Sequence, residues 1–244
     1  MTLASSKYIS GTSVLQITAL NQFYGGSHTL WDVDLDVPKG SRTCLMGRNG
    51  MGKTTLLKCV MGLLPATSGQ IRFDERDLRA MPTEARARCG IGYVPQGREI
   101  FPQLTVEENL EIGLGVRSRG ARAIPPQIFD LFPVLKTMRQ RRGGDLSGGQ
   151  QQQLAIGRAL VLEPSLLILD EPTEGIQPNI VHEIGEIILR LNRDAGLTVL
   201  LVEQKLPFAR RVATDFRILE KGRCVAGGPI VDLTDDLVRA HLSV

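Results

Sequence analysis

No apolar run in this chain approaches the roughly 18 residues that span a bilayer, and residues 1–13 lack the basic start and apolar centre of a secretory leader. A chain that stays in the cytoplasm is expected. One-sided charge is missing too: 29 basic residues face 26 acidic ones, so charge alone gives no nucleic-acid footprint. The basic cluster Arg139, Arg141 and Arg142 reads as a solvated loop. Cysteine is sparse. Cys44, Cys59, Cys89 and Cys224 have neither C-x-x-C spacing nor the density of a secreted disulfide scaffold, and they read as reduced and buried. His28, His182 and His241 show no metal-ligand spacing. There is no internal repeat, and residues 150–153, four glutamines, are the one low-complexity segment. What remains is ordinary globular composition, 42% hydrophobic and 23% charged over 244 residues, ample for a sizeable core.

Residues 1–13 are small and polar and read as a flexible tail, with one domain following over 14–244. Trp31, Val33, Leu35 and Val37 alternate with Asp32, Asp34 and Asp36, the period of a strand with one wet face. With the alternating segment 14–20 it predicts an antiparallel β layer. A short strand over 41–46 and a helix over 53–61 flank a glycine-rich loop. Apolar runs at 91–94, 166–169 and 199–202, separated by helical stretches, read as parallel strands covered on both faces. Between Gln96 and Glu163 only helix signals appear, among them the capping box Thr105 with Glu108. The expectation is an α/β fold: a phosphate-loop core over 14–96 and 164–244 with a mixed, mainly parallel sheet, and a helical insertion over 97–163.

The glycine-rich loop, Gly47-Arg48-Asn49-Gly50-Met51-Gly52-Lys53-Thr54, fits G-x-x-x-x-G-K-[ST], and it sits between a strand and a helix as that motif requires. Gly47, Arg48, Asn49, Gly50 and Gly52, with the amides that follow through Thr55, form the cradle for the phosphates of ATP. Lys53 is then the cation for the β- and γ-phosphates and Thr54 the Mg²⁺ ligand. The apolar run ending in Asp170-Glu171 closes a buried strand on two acids. Asp170 is suited to hold Mg²⁺, and Glu171 to take a proton from the attacking water as general base. Leu146-Ser147-Gly148-Gly149-Gln150 precedes a helix, so its amides and the Ser147 hydroxyl form an anion site aimed outward.

Together these runs resemble the ATP-binding-cassette ATPases, and the resemblance extends from about Val14 to Val244. In that family two subunits pack head to tail, so Leu146, Ser147, Gly148, Gly149 and Gln150 of one serve the nucleotide of the other. The resemblance implies a second ATPase subunit, identical or not, and no nucleic-acid partner. It also places Tyr24 as the ring that stacks on adenine and Gln96 as the glutamine that touches Mg²⁺ and the nucleotide. Where many members carry a histidine facing the γ-phosphate, this chain has Gln204, an amide that donates a hydrogen bond but carries no proton. Thr173-Glu174-Gly175-Ile176-Gln177 likewise replaces the usual Ser-Ala-Leu-Asp wording.

These departures, with the runs 92–102 and 104–110, are similar to the ATPase subunits of branched-chain amino-acid importers. Phe23-Tyr24-Gly25-Gly26-Ser27-His28, Gly143-Gly144-Asp145 and the four glutamines resemble the urea-importer branch more strongly. Urea is therefore the expected solute, with branched-chain amino acids as the alternative. Such an importer places the ATPase on the cytoplasmic face of the inner membrane, beneath two permease subunits fed by a periplasmic binding protein. Residues 97–111 are the expected permease-docking surface. A DNA-maintenance or translation role is the competing class. Only residues 55–145 separate phosphate loop and signature, which leaves no room for a coiled-coil arm, and the chain has one cassette where translation factors have two. A nucleotide-binding module without turnover is countered by the intact Glu171.

Overall fold

The computed structural model describes residues 13–116 and 123–242. Ser13, expected in the tail, opens the first strand, and residues 1–12, the rest of that expected tail, lie outside the described residues. The elements run β1 (Ser13–Tyr24), β2 (Ser27–Pro38), β3 (Arg42–Met46), α1 (Lys53–Met61), β4 (Ser68–Phe73), β5 (Arg76–Asp77), α2 (Thr83–Arg88), β6 (Ile91–Val94), α3 (Val106–Leu114), α4 (Pro126–Leu131) and α5 (Pro133–Thr137). After them come α6 (Gly148–Leu160), β7 (Leu166–Asp170), α7 (Pro178–Ala195), β8 (Thr198–Val202), α8 (Leu206–Val212), β9 (Asp215–Glu220), β10 (Arg223–Pro229) and α9 (Asp235–His241).

Two sheets form. One is antiparallel, in the order β2-β1-β4-β5; the other, β10-β9-β3-β8-β7-β6, is parallel except for β10 at its edge. The parallel strands are apolar on both faces because both faces are covered. Leu166 and Ile168 of β7, with Leu200 and Val202 of β8, join Leu45 and the antiparallel layer in one core. Leu167, Leu169, Val199 and Leu201 point the other way, into a core that continues into α3, α4, α6 and α7 through Leu110, Ile128, Leu154 and Ile188. One alternation thus fastens the β layer to one side of the sheet and the helices to the other.

β2 departs from the alternation read along it. Leu30, not Trp31, is buried, and Trp31 remains 39% exposed. Asp32 has φ 44°, Ala19 on the facing strand has φ 46°, and the β1–β2 register shifts on both sides of Leu20, so an irregular step changes which face the preceding residues occupy. Two smaller expectations also change. Cys44 and Cys59 are buried, and burial pushes the Cys59 thiol up to about 11, but Cys89 and Cys224 are half-buried; all four are free. Arg141 and Arg142 are exposed, whereas Arg139, though exposed, pairs with Glu107 and lies over the Phe129 ring.

Candidate functional site

The adjacent parallel strands β3, β8, β7 and β6 send their carboxyl ends to one edge of the sheet, the usual location of ligands in open α/β sheets. The loops leaving them carry the phosphate loop, Gln204, Asp170-Glu171 and Gln96 in that order. Thr29, Asn49, Gly50, Gly52, Lys53, Thr54, Thr55, Gln96 and Glu171 line one cleft there. The sheet therefore brings together residues that are more than a hundred positions apart.

The phosphate loop is a tight fit of backbone on backbone. Gly47 has φ 153°, and a Cβ there would lie 2.3 Å from the Leu219 carbonyl oxygen. Gly52, the N-cap of α1, has φ 101° and makes no side-chain cap. The first N–H groups of that helix are thus left for an incoming anion, which the helix dipole also favours. Lys53 is 5% exposed, and its ammonium donates to the carbonyls of Gly47 and Arg48 at 2.8 and 2.9 Å. Burial pulls its pKa down, and Glu171, 3.7 Å away, with Asp170 opposes that.

Glu171 sits at φ 50°, a left-handed conformation that costs a side-chain-bearing residue about 1–3 kcal/mol. Its two carboxylate oxygens are held by two amides from opposite sides. Gln96 Nε2 donates to Oε2 at 3.2 Å, and Gln204 Nε2 donates to Oε1 and to Asn49 Oδ1 at 2.7 Å. Gln204 is thereby placed in the site, with its donors turned to the protein. Asp170 is 1% exposed, and neither of its oxygens makes a hydrogen bond of ordinary geometry. Burial raises its pKa to about 6, the neighbouring Thr54 hydroxyl offsetting part of that cost and Glu171 adding to it. A buried carboxylate without a partner, beside a hydroxyl, suits a hard cation such as Mg²⁺. Among the described residues no three His, Cys, Asp or Glu side chains group to hold a metal ion, so the cation would depend on the nucleotide for further oxygens.

The glycine-rich run at 146–150 lies elsewhere. Ser147, Gly148, Gly149 and Gln150 line a second groove of about 930 Å³ with Gln177, Ile180, Glu183 and others, sharing no residue with the phosphate-loop cleft. Leu146 is buried beneath it. Ser147 N-caps α6 in a capping box: its hydroxyl accepts from the Gln150 amide at 3.4 Å, and Gln150 Oε1 accepts from the Ser147 amide at 2.9 Å. The hydroxyl proton is not used in that cap. The cleft at the phosphate loop holds only about 190 Å³, below the 300 Å³ or so at which pockets begin to enclose a small ligand. The two glycine-rich loops thus line separate grooves of one chain. Tyr24 stands apart from the cleft lining, 47% exposed at the end of β1.

Reasoning along the chain missed Glu174, which accepts from Gln96 at 2.9 Å, and Glu203, buried and accepting from the Thr173 hydroxyl at 2.6 Å. Only the proximity of Glu174 to Glu171 in sequence hinted at either.

Residues 30–174 match the family model described as ABC transporter. The high-affinity branched-chain amino acid transport ATP-binding protein BraG of Pseudomonas aeruginosa is 42% identical over 213 residues, 87% of this chain and 91% of that one. The probable branched-chain amino acid transport ATP-binding protein LivF of Archaeoglobus fulgidus is 38% identical over 223 residues, 91% and 94% of the two chains. The solved dimeric structure of an ATP-binding cassette in a post-hydrolysis state with ADP and Pi superposes with TM-score 0.80 at 26% identity, covering 88% of this chain and 98% of that one. The chain belongs to the ABC transporter family, as one of its ATP-hydrolysing cassettes.

Proposed function

We propose that this chain powers a solute importer by hydrolysing ATP at the interface of two cassettes packed head to tail. The observation that carries the reading is the separation of the phosphate-loop cleft from the groove beside Ser147. Closure would bring the Ser147 hydroxyl and the Gly148 and Gly149 backbone of one subunit onto the γ-phosphate held by the other, with Tyr24 stacked on adenine. Two nucleotides then favour the closed pair by binding it more tightly than the open one.

Within the site, the backbone over 47–55 and Lys53 would hold the phosphates, while Thr54, Asp170 and the Gln96 carbonyl oxygen would hold Mg²⁺, which when bound would supply positive charge against the charge developing on the phosphates. Glu171 orients the attacking water and takes its proton as the water oxygen bonds to γ-phosphorus and the bond to the β-bridging oxygen breaks, releasing ADP and phosphate. Gln204 turns one donor from Asn49 to the γ-phosphate, keeping Glu171 in place with the other.

No helix among the described residues is long and apolar enough to cross a membrane, which suits a subunit docked peripherally on the cytoplasmic side of two permeases. The loop ahead of α3 supports docking there. Phe101 and Ile112 are exposed, while buried Asn109 pins the loop through the Phe101 amide and the carbonyls of Phe101, Leu104 and Thr105. A periplasmic binding protein would feed the permeases.

For the solute, the names of the relatives favour branched-chain amino acids over the urea expected from the sequence. Urea stays as a second reading on one observation, the Gln150–Gln153 run with the Gly25-Gly26 hairpin. Radiolabelled uptake in a deletion strain and its complement decides between them: loss of leucine, isoleucine and valine uptake supports the first, and loss of urea uptake alone supports the second. Unchanged uptake of all four would remove the importer reading.

A further inference from the structure

Gln96 spends both of its amide donors on carboxylates: one on Glu171 at 3.2 Å, the other on Glu174 at 2.9 Å. Reversing the amide would set its oxygen against two anions, so this pair of acids fixes which end of Gln96 faces where. What Gln96 then offers the cleft it lines, with Lys53 and Thr54, is an acceptor oxygen, the group a cation requires. Glu174 is itself held from both sides. Its amide donates to the Glu171 carbonyl at 3.1 Å, and its carbonyl accepts from Arg98 at 3.4 Å. Arg98 also donates to Gln151 on α6, at 3.2 Å. Glu174 thus ties the loop after β7 to the loop after β6 through both Gln96 and Arg98, and Arg98 carries the connection on to α6.

We propose that Glu174 is a positioning residue for hydrolysis: sharing the Gln96 amide with Glu171, it keeps the Gln96 carbonyl oxygen directed at the metal–phosphate side of the cleft. Glu174 touches neither substrate nor cation. With Alanine in its place, Gln96 retains one anionic partner and is free to turn over, so the oxygen is presented for only part of the time. Because Glu174 is exposed in the single chain, water weakens the bond there, and the effect grows when a second subunit covers the loop.

The inference rests on assigning Gln96 to the nucleotide–metal site, and the experiment separates the two. Nucleotide binding to the full chain is followed with a fluorescent ATP analogue, first in EDTA and then during Mg²⁺ titration; the Mg²⁺ dependence of ATPase is measured in the assembled transporter. Glu174→Ala should leave Mg²⁺-free binding within about twofold and raise the Mg²⁺ concentration for half-maximal turnover about tenfold, the scale of one charge-assisted hydrogen bond. The Mg²⁺-dependent change in analogue binding should shift in the same direction. Glu174→Gln, which keeps an acceptor oxygen of the same reach, should recover most of the parent's Mg²⁺ dependence. Unaltered Mg²⁺ dependence in Glu174→Ala, equal loss of Mg²⁺-free binding, or no recovery in Glu174→Gln would each overturn the proposal. Gln96→Ala is the control: if it too leaves the Mg²⁺ dependence unaltered, the assignment of Gln96 falls, whereas a shift with Gln96→Ala alone removes only the role of Glu174.

Discussion

Two helices of this chain begin at glycine-rich loops, and they begin in opposite ways. Gly52 opens α1 in a left-handed conformation with no side-chain cap, beside a buried lysine and a buried aspartate. Ser147 opens α6 in extended backbone with a complete capping box and neutral residues through its first turns. The first start leaves the helix without a side-chain cap, and the Asp170 carboxylate beside it makes no hydrogen bond of ordinary geometry. The second satisfies itself and presents a hydroxyl proton and bare backbone outward. On the proposed function, the first start belongs to the surface that gathers the reacting groups and the second to the surface that would complete them in a partner subunit. Backbone strain at a side-chain-bearing residue falls on the first side: Glu171 has φ 50°, whereas Ser147 has φ −64°.

The largest test of this contrast is Glu171→Gln, which preserves shape and removes the base. ATP should still bind, and hydrolysis by the assembled transporter should fall by about 10² or more. Equal turnover would take Glu171 out of the reaction. Ser147→Arg strikes the other surface: nucleotide binding to the isolated chain should hardly change, whereas turnover in the assembly should fall at least about tenfold. If the isolated variant loses ATP, the two surfaces are not separate.

Gln204→Ala should slow hydrolysis about 10- to 100-fold, matching the loss of a hydrogen bond to a charged group. Gln204→His should keep substantial activity and add a pH-dependent component between about pH 5.5 and 7.5, where imidazole changes charge. Steady-state ATPase rates of parent and both variants across that range measure this, and an alanine variant with parental kinetics would show that Gln204 does not assist the reaction.

Asp170 sharpens the comparison through stability. Its carboxyl titrates near 6 when folded against 3.8 when free. The folded chain therefore holds a proton that the unfolded chain has lost between those values, and this contribution fades as pH rises through about 6. Asp170→Asn should stabilise the metal-free chain at pH 8 by up to about 3 kcal/mol and make almost no difference near pH 4, read by denaturant melts. Mg²⁺ with nucleotide should stabilise the parent more than the variant. A variant no more stable than the parent at pH 8 would contradict the burial cost assigned to that carboxylate. The smallest effect concerns an ordinary cap remote from the cleft: Thr105→Ala should cost about 1 kcal/mol by removing the Thr105–Glu108 box at the start of α3.

The sequence by itself determined the local devices. The spacing of Gly47, Gly52, Lys53 and Thr54, the capping box at Thr105, the helix start at Ser147, and the apolar runs of β6, β7 and β8 are statements about neighbours within a few positions, where backbone sterics and helix or strand period decide the outcome. Alternation misplaced Trp31 because the irregular step, with Ala19 left-handed on one strand and Asp32 on the other, depends on two strands meeting. The strands β4, β9 and β10 carried no comparable signal, being short or half-exposed. Only the tertiary structure decided the order β3-β8-β7-β6, and with it the grip of Gln96 and Gln204 on Glu171 and the sharing of Gln96 with Glu174. These bonds join residues up to 78 positions apart, and their existence depends on which strand lies beside which. That choice is made by burial of both sheet faces together, a property no single segment carries.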